Sequence, residues 1–239
     1  MGQKVVEPED PPAREQGSRT IQLPYTNRFE TIWEYEEAFV SGRIDLISAV
    51  GVRCPICGGV DCYREISCYW RYAIELFPGF EKRRIPVGRF VCRRRRRTFS
   101  LLPIQLIPYF QYTVGAVIGT LLLGMGYWET GQRGFYGASM EVDPDSLVTP
   151  WLVACWLVFV VRGFGRGHAV LGQYYDLDGI RISNTVGVWE EVAGYFTAFG
   201  LKPKNCRLSP LTELVSCYSR RTGQFLFGTP SQYRSAVGP

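Results

Sequence analysis

Arg53-Cys54-Pro55-Ile56-Cys57-Gly58-Gly59, and later Phe90-Val91-Cys92-Arg93-Arg94-Arg95-Arg96-Arg97-Thr98-Phe99-Ser100, are the stretches whose pairing decides the fold. A C-x2-C spacing sets two thiols on one tight knuckle, shaped by the proline and glycines, and a second knuckle from a distant hairpin normally closes a tetrahedral metal site. Here the second knuckle holds Cys92, but Arg95 stands where C-x2-C spacing would put the fourth ligand. The site is therefore completed by Cys62 or Cys68, or it is weakened or empty. Cys62 lies five residues past Cys57 and needs an irregular loop to reach the same ion. The candidate ligands are Cys54, Cys57, Cys92 and Cys62, and the candidate metal is zinc.

Outward from the knuckles, Tyr63, Ile66, Tyr69, Tyr72 and Ile74, then Ile85, Val87 and Phe90, are β-prone residues interrupted by Pro78-Gly79, and they predict ribbon strands over 60–91. Lys82 to Arg97 holds nine basic residues and no acid, although the net charge of the 239-residue chain is only +5. A local basic block is the electrostatic footprint of a polyanion, either a phosphate backbone or anionic lipid. In a strand, side chains alternate between faces, so Arg93, Arg95 and Arg97 would share one face, with Arg94 and Arg96 on the other. With Arg83, Arg84 and Arg89 they are expected to form a stripe that contacts several phosphates and binds in a salt-dependent manner.

Residues 1–20 carry too few apolar groups to repay ordering and are expected to form a mobile arm. Their polarity also predicts that no secretory leader is present, and eight cysteines in this length fall short of a disulfide framework; a reducing, cytoplasmic setting is expected. Cys155, Cys206 and Cys217 read as buried or incidental thiols. Phe29 to Val40 has helical periodicity with glutamates on its outer side, and Ile44 to Val50 is a second short apolar stretch.

Ser100 to Trp128 contains no charged residue. Thr113 to Trp128 predicts an apolar helix, Glu129 to Val142 a polar connection, and Asp143-Pro144 the start of a helix running to about Val161, with Pro150 kinking it or delaying its start. Gly163, Gly165 and Gly167 read as a flexible joint, Tyr174 to Ser183 as a short strand with turns, and Trp189 to Phe199 as an amphipathic helix closed by Gly200. Ser209-Pro210 opens a last helix reaching about Arg220, before a compact end over 225–234.

The strings Cys-Pro-Ile-Cys-Gly (54–58), Arg-Phe-Val-Cys (89–92), Arg97-Thr-Phe-Ser-Leu-Leu-Pro103 and Pro108-Tyr-Phe-Gln-Tyr-Thr113 resemble a bacterial, mobile-element-associated family with a transposase-type zinc ribbon followed by a helix-turn-helix-like module. The resemblance covers roughly residues 21–161 and implies an α+β protein with DNA as partner. It places a recognition helix over Asp143 to Leu152, but that segment offers no Arg, Lys, Asn or Gln to read base edges. Arg95 departs from the family's fourth cysteine.

Catalysis finds little support. The single histidine, His168, lies in the glycine-rich joint and reads as an exposed linker residue; Gly163, Gly165 and Gly167 lack the context of a phosphate loop. Asp143, Asp145, Asp176, Asp178, Glu190, Glu191 and Glu213 form no recognisable metal-nuclease motif. The expected function is non-catalytic DNA binding. Two rival readings remain: an interaction module whose apolar helices form a homodimer, and a two-span membrane hairpin over Thr113 to Trp128 and Ser146 to Val161. The hairpin is favoured by flanking arginines and an acidic connection, and opposed by Pro103, Pro108 and a mean hydropathy of -0.05.

Overall fold

A computed structural model describes residues 20–26, 29–143, 147–180, 187–202 and 209–228. The protein is α+β, as its sequence predicts. β1 (Ile21–Tyr25), α1 (Ile32–Val40) and α2 (Leu46–Val50) lead into β2 (Tyr63–Glu75), β3 (Glu81–Cys92) and β4 (Arg97–Pro103). They are followed by α3 (Val114–Glu129), α4 (Gly134–Val142), α5 (Pro150–Leu171), α6 (Val188–Ala198) and α7 (Ser209–Thr222). The arm expected over 1–20 and Cys206 lie outside the described residues, apart from Thr20.

The sheet order is β1-β4-β3-β2, with β1 parallel to β4 and the other pairs antiparallel. Ile32 and Tyr35 of α1 pack on Ile85, Val87 and Leu102, while Leu46 of α2 packs with Phe90, Phe99 and Leu101. Gly88 lets Leu46 approach, since a Cβ there would meet Leu46 Cδ1 at 2.4 Å. Arg71 crosses from β2 to donate to the carbonyls of Ile107 and Phe110, fastening the loop that leads from the sheet to the helices.

The apolar run forms α3 as predicted, and Thr113 caps it, its hydroxyl accepting from Ala116 N–H at 3.0 Å. The helix is buried on most of its circumference, and its glycines admit neighbours: Gly119 lies against the Phe77 ring, and Gly134 approaches the Gly124 carbonyl. That second contact helps explain why the polar stretch after Glu129 is not a simple connection. It folds as α4, whose Gly134 lies close against α3.

The helix expected from Asp145 starts at Pro150 instead. Asp143 ends α4 and its carboxylate accepts from Val148 N–H at 2.9 Å, while Thr149 caps the new helix and Pro150 takes its first position. The described residues of 143–149 thus form a connection where the resemblance places the start of a recognition helix. Nor are Gly163, Gly165 and Gly167 a joint: α5 runs straight through them to Leu171. A Cβ on Gly163 would meet Phe227 at 2.5 Å, and one on Gly167 would meet Leu226 at 2.6 Å, so these two positions are small because the C-terminal residues pack there. Described residues 174–180 form turns and no strand, whereas α6 with Gly200 (φ +68°) and α7 fall close to expectation.

A single apolar core joins α3, α5, α6 and α7 to the end of β2, centred on Trp156, Phe164, Tyr195 and Phe196. Burying each such side chain contributes about 1.5–3 kcal/mol. α3 is thus occupied by intramolecular packing. Among the described residues one helix, α5, is long and apolar enough to cross a membrane by length and composition.

Candidate metal centre

Local backbone chemistry builds the first knuckle. Gly58 N–H donates to the Cys54 carbonyl and Cys54 N–H to the Gly59 carbonyl, each at 2.8 Å, and Gly58 takes φ +70° to close the turn. Arg53 and Val60 then pair antiparallel, and Asp61, at φ +54°, turns the chain so that Cys62 comes back toward Cys57. This is the irregular loop that the five-residue spacing demands.

The second half comes from the β3–β4 hairpin. Cys92 ends β3, opposite Tyr63 of β2 and Arg97 of β4. Arg95 N–H donates to Cys92 Sγ at 3.4 Å, so the residue standing in the fourth ligand's place still serves a thiol through its backbone. Arg93 N–H donates to the Cys62 carbonyl at 2.6 Å and ties the two halves together.

The four sulfurs of Cys54, Cys57, Cys62 and Cys92 all lie within 4.8 Å of one another. Cys57 Sγ is 3.1 Å from Cys62 Sγ and 3.6 Å from Cys92 Sγ. Four thiolates at the usual zinc distance of about 2.3 Å would be separated by about 3.8 Å. The cluster therefore has the size, ligand number and ligand chemistry to hold one metal ion. Cys54, Cys62 and Cys92 are buried, with Ile56 and Tyr63 packed over them. Cys62 completes the set; Cys68 is exposed on β2 opposite Gly88 and takes no part.

The thiols influence one another. The Cys62 contact, helped by Gly59 N–H, draws Cys57 down to about 7, and the same contact with burial pushes Cys62 up to about 12. Burial raises Cys54, against the backbone N–H groups of Ile56 and Cys57. One shared negative charge is easily accommodated by such a cluster, whereas four thiolates require a cation among them.

The basic block is placed differently from the expected stripe. Arg93 to Arg96 are a turn, not a strand, because the chain must reverse between the paired Cys92 and Arg97; Arg96 takes φ +50° to do so. All four side chains of the turn are exposed, and alternation between faces does not apply. The Arg94 guanidinium and Cys57 Sγ both lie within 3.4 Å of the point that a Cβ on Gly59 would occupy, so one arginine abuts the thiol cluster. Arg83 and Arg84 sit at the other end of β3, about 30 Å away along the strand. Arg83 is engaged with Glu36, Glu81 and the Trp33 ring, and Arg84 lies over Tyr72. Arg89 is half-buried between the two ends. The eight arginines therefore form no single stripe.

Other candidates are also redefined. His168 is no linker residue: it lies in α5, half-buried, with Nδ1 2.8 Å from the Tyr195 hydroxyl. Cys155 is exposed, not buried, and Cys217 is half-buried. Among the described residues, the four cysteines are the only cluster of three or more such side chains arranged to hold a metal. Sequence reasoning passed over Trp70, which the β2–β3 pairing leaves exposed near Tyr72, and counted Lys82 only within the basic block; the signal for Trp70 was the alternation of Cys68, Trp70 and Tyr72 along β2.

Comparison with protein-family models, with curated proteins and with solved structures gives no match in any of the three.

Proposed function

We propose that this chain is a non-catalytic nucleic-acid-binding protein, acting on DNA, in which zinc held by Cys54, Cys57, Cys62 and Cys92 fixes an arginine turn for contact with phosphates. The observation that carries this reading is the coupling of charge to cluster. Five consecutive arginines follow a cluster thiol directly, the turn donates N–H groups to Cys92 Sγ and the Cys62 carbonyl, and no ion pair among the described residues uses Arg93 to Arg97. Uncommitted guanidiniums on a fixed turn suit phosphate oxygens, which give affinity without base readout. An all-thiolate tetrahedral set favours zinc, with iron as the alternative that metal analysis distinguishes. A mobile-element setting rests on the sequence resemblance alone and belongs to the proposal.

The test is fluorescence anisotropy with labelled DNA over a range of salt. The expected result is affinity that falls steeply with salt, and loss of about one unit of log-log slope for each neutralised arginine in Arg93→Gln/Arg94→Gln/Arg95→Gln. Undiminished binding by the triple variant would overturn the role of the turn.

A second reading draws on α5, whose Trp151, Cys155 and Val158 are exposed on one helical stripe. This stripe favours self-association, which light scattering of the full chain and of Trp151→Ser/Val158→Ser would detect as a dimer that dissociates in the variant.

A further inference from the structure

We infer that the outer edge of the β2–β3 hairpin is a stacking platform for single-stranded DNA, with Trp70 and Tyr72 receiving bases and Lys82 and Arg84 receiving phosphates. The inference rests on the nucleic-acid reading above and narrows it to unpaired strands. β2 is an edge strand, and after its bulge near Ile66 the residues Cys68, Trp70 and Tyr72 fall on one face. All three are exposed, Trp70 by 37% and Tyr72 by 44%, whereas Tyr69, Arg71 and Ala73 on the opposite face are half-buried or buried.

Two cations lie over the Tyr72 ring. Lys82 Nζ lies 4.6 Å from the Tyr72 ring centroid, and the Arg84 guanidinium 5.9 Å from it; Arg84 is directly opposite Tyr72 across the strand pair. No ion pair among the described residues occupies either cation. An isolated exposed aromatic needs no explanation, but two at i and i+2, with a lysine and an arginine against the second, match what an unpaired strand offers: flat apolar bases on a chain of anions. A duplex cannot use the rings, because its bases are already stacked inside it. β3 carries this strip toward the arginine turn, so that one strand can meet rings at one end of the hairpin and the turn at the other, about 30 Å apart.

The experiment compares the full, metal-loaded protein and Trp70→Leu/Tyr72→Leu on three probes, an oligothymidylate of about 12 nucleotides, its abasic counterpart and a duplex of equal length, and measures the wild type also on the matching oligouridylate. Leucine keeps the strand apolar while removing the rings, and an unchanged circular dichroism spectrum and metal content verify the fold. The wild type is expected to bind the oligothymidylate best, and the double variant to lose about 30-fold or more on that probe alone. Equal wild-type affinity for abasic and intact strands, or equal losses by the variant on all three probes, would overturn the platform and leave the arginine reading standing. No binding to any probe would overturn both. Tenfold tighter binding to the matching RNA would overturn the assignment to DNA.

Discussion

Around Cys54, Cys57, Cys62 and Cys92 the buried cluster consists of three of the thiols themselves, with Ile56 and Tyr63 packed at its margin, whereas α3, α5, α6 and α7 share a continuous core of large apolar side chains. The first region is organised by a few ligand atoms and backbone N–H groups, the second by volume and close packing. The difference teaches where each can be broken. Holding a metal as proposed, the cysteine end should depend on it and tolerate changes in exposed side chains; the helical end should be indifferent to metal and sensitive to single methyl groups.

The largest expected effect is removal of the metal. Structural zinc sites contribute about 10–16 kcal/mol of apparent binding free energy, which is folding free energy for the segments that carry the ligands. A strong chelator is expected to expose the amides of residues 53–62 and 92–97 to hydrogen exchange while α3 and α5 keep their protection. Loss of protection in both regions together would show that they are one cooperative unit.

Phe164→Ala strikes the other side. Phe164 is fully buried against Tyr195, Phe196, Phe199 and Phe227, and its truncation should cost about 3–5 kcal/mol. Denaturant unfolding should show that loss with no change in metal content.

The seam between the regions supplies a pH dependence. Glu75, at the end of β2, is buried beside Gln105, Val114 and Val215, and burial outweighs the Thr113 hydroxyl to raise its carboxyl to about 7 from 4.5. The folded state therefore holds this proton more tightly than the unfolded chain. Its contribution is complete below about pH 4.5 and is lost as pH rises toward 7, a change of about 3 kcal/mol. Glu75→Gln should flatten stability across that window in paired melts; an unchanged slope would place the titration elsewhere.

The smallest effects carry the sharpest sign. Gly163→Ala should destabilise by about 1 kcal/mol or more, since its Cβ would press on Phe227 and the Leu226 carbonyl, which helix propensity does not offset. Gly165→Ala, with open space around its Cβ, should stabilise by up to about 1 kcal/mol. Like signs in thermal melts would return these glycines to the flexible joint that the sequence alone predicts.

That pair also shows what the sequence could and could not convey. The first knuckle, the start of α3 near Thr113 and the end of α6 were legible because short-range signals decide them: a turn glycine, the onset of an apolar run, a C-terminal Gly200. Gly163 and Gly167 misled because their smallness answers Phe227 and Leu226, some sixty residues away. Arg93 to Arg97 misled because alternation assumes a strand, while the pairing of Cys92 with Arg97 forces a turn. Cys62 could be named as the fourth candidate ligand, but the course of the irregular loop that returns it to Cys57 was not legible, since it depends on the positive φ at Asp61.

Metal content by native mass spectrometry of the wild type, Cys62→Ser and Cys68→Ser tests the central claim most directly. The account predicts one zinc per chain in the wild type and in Cys68→Ser, and a large loss of metal in Cys62→Ser, with loss of salt-dependent DNA binding in the same variant. A metal-free wild type, or a Cys62→Ser protein that retains its zinc while Cys68→Ser loses it, would contradict the four-cysteine centre on which the arginine turn is built.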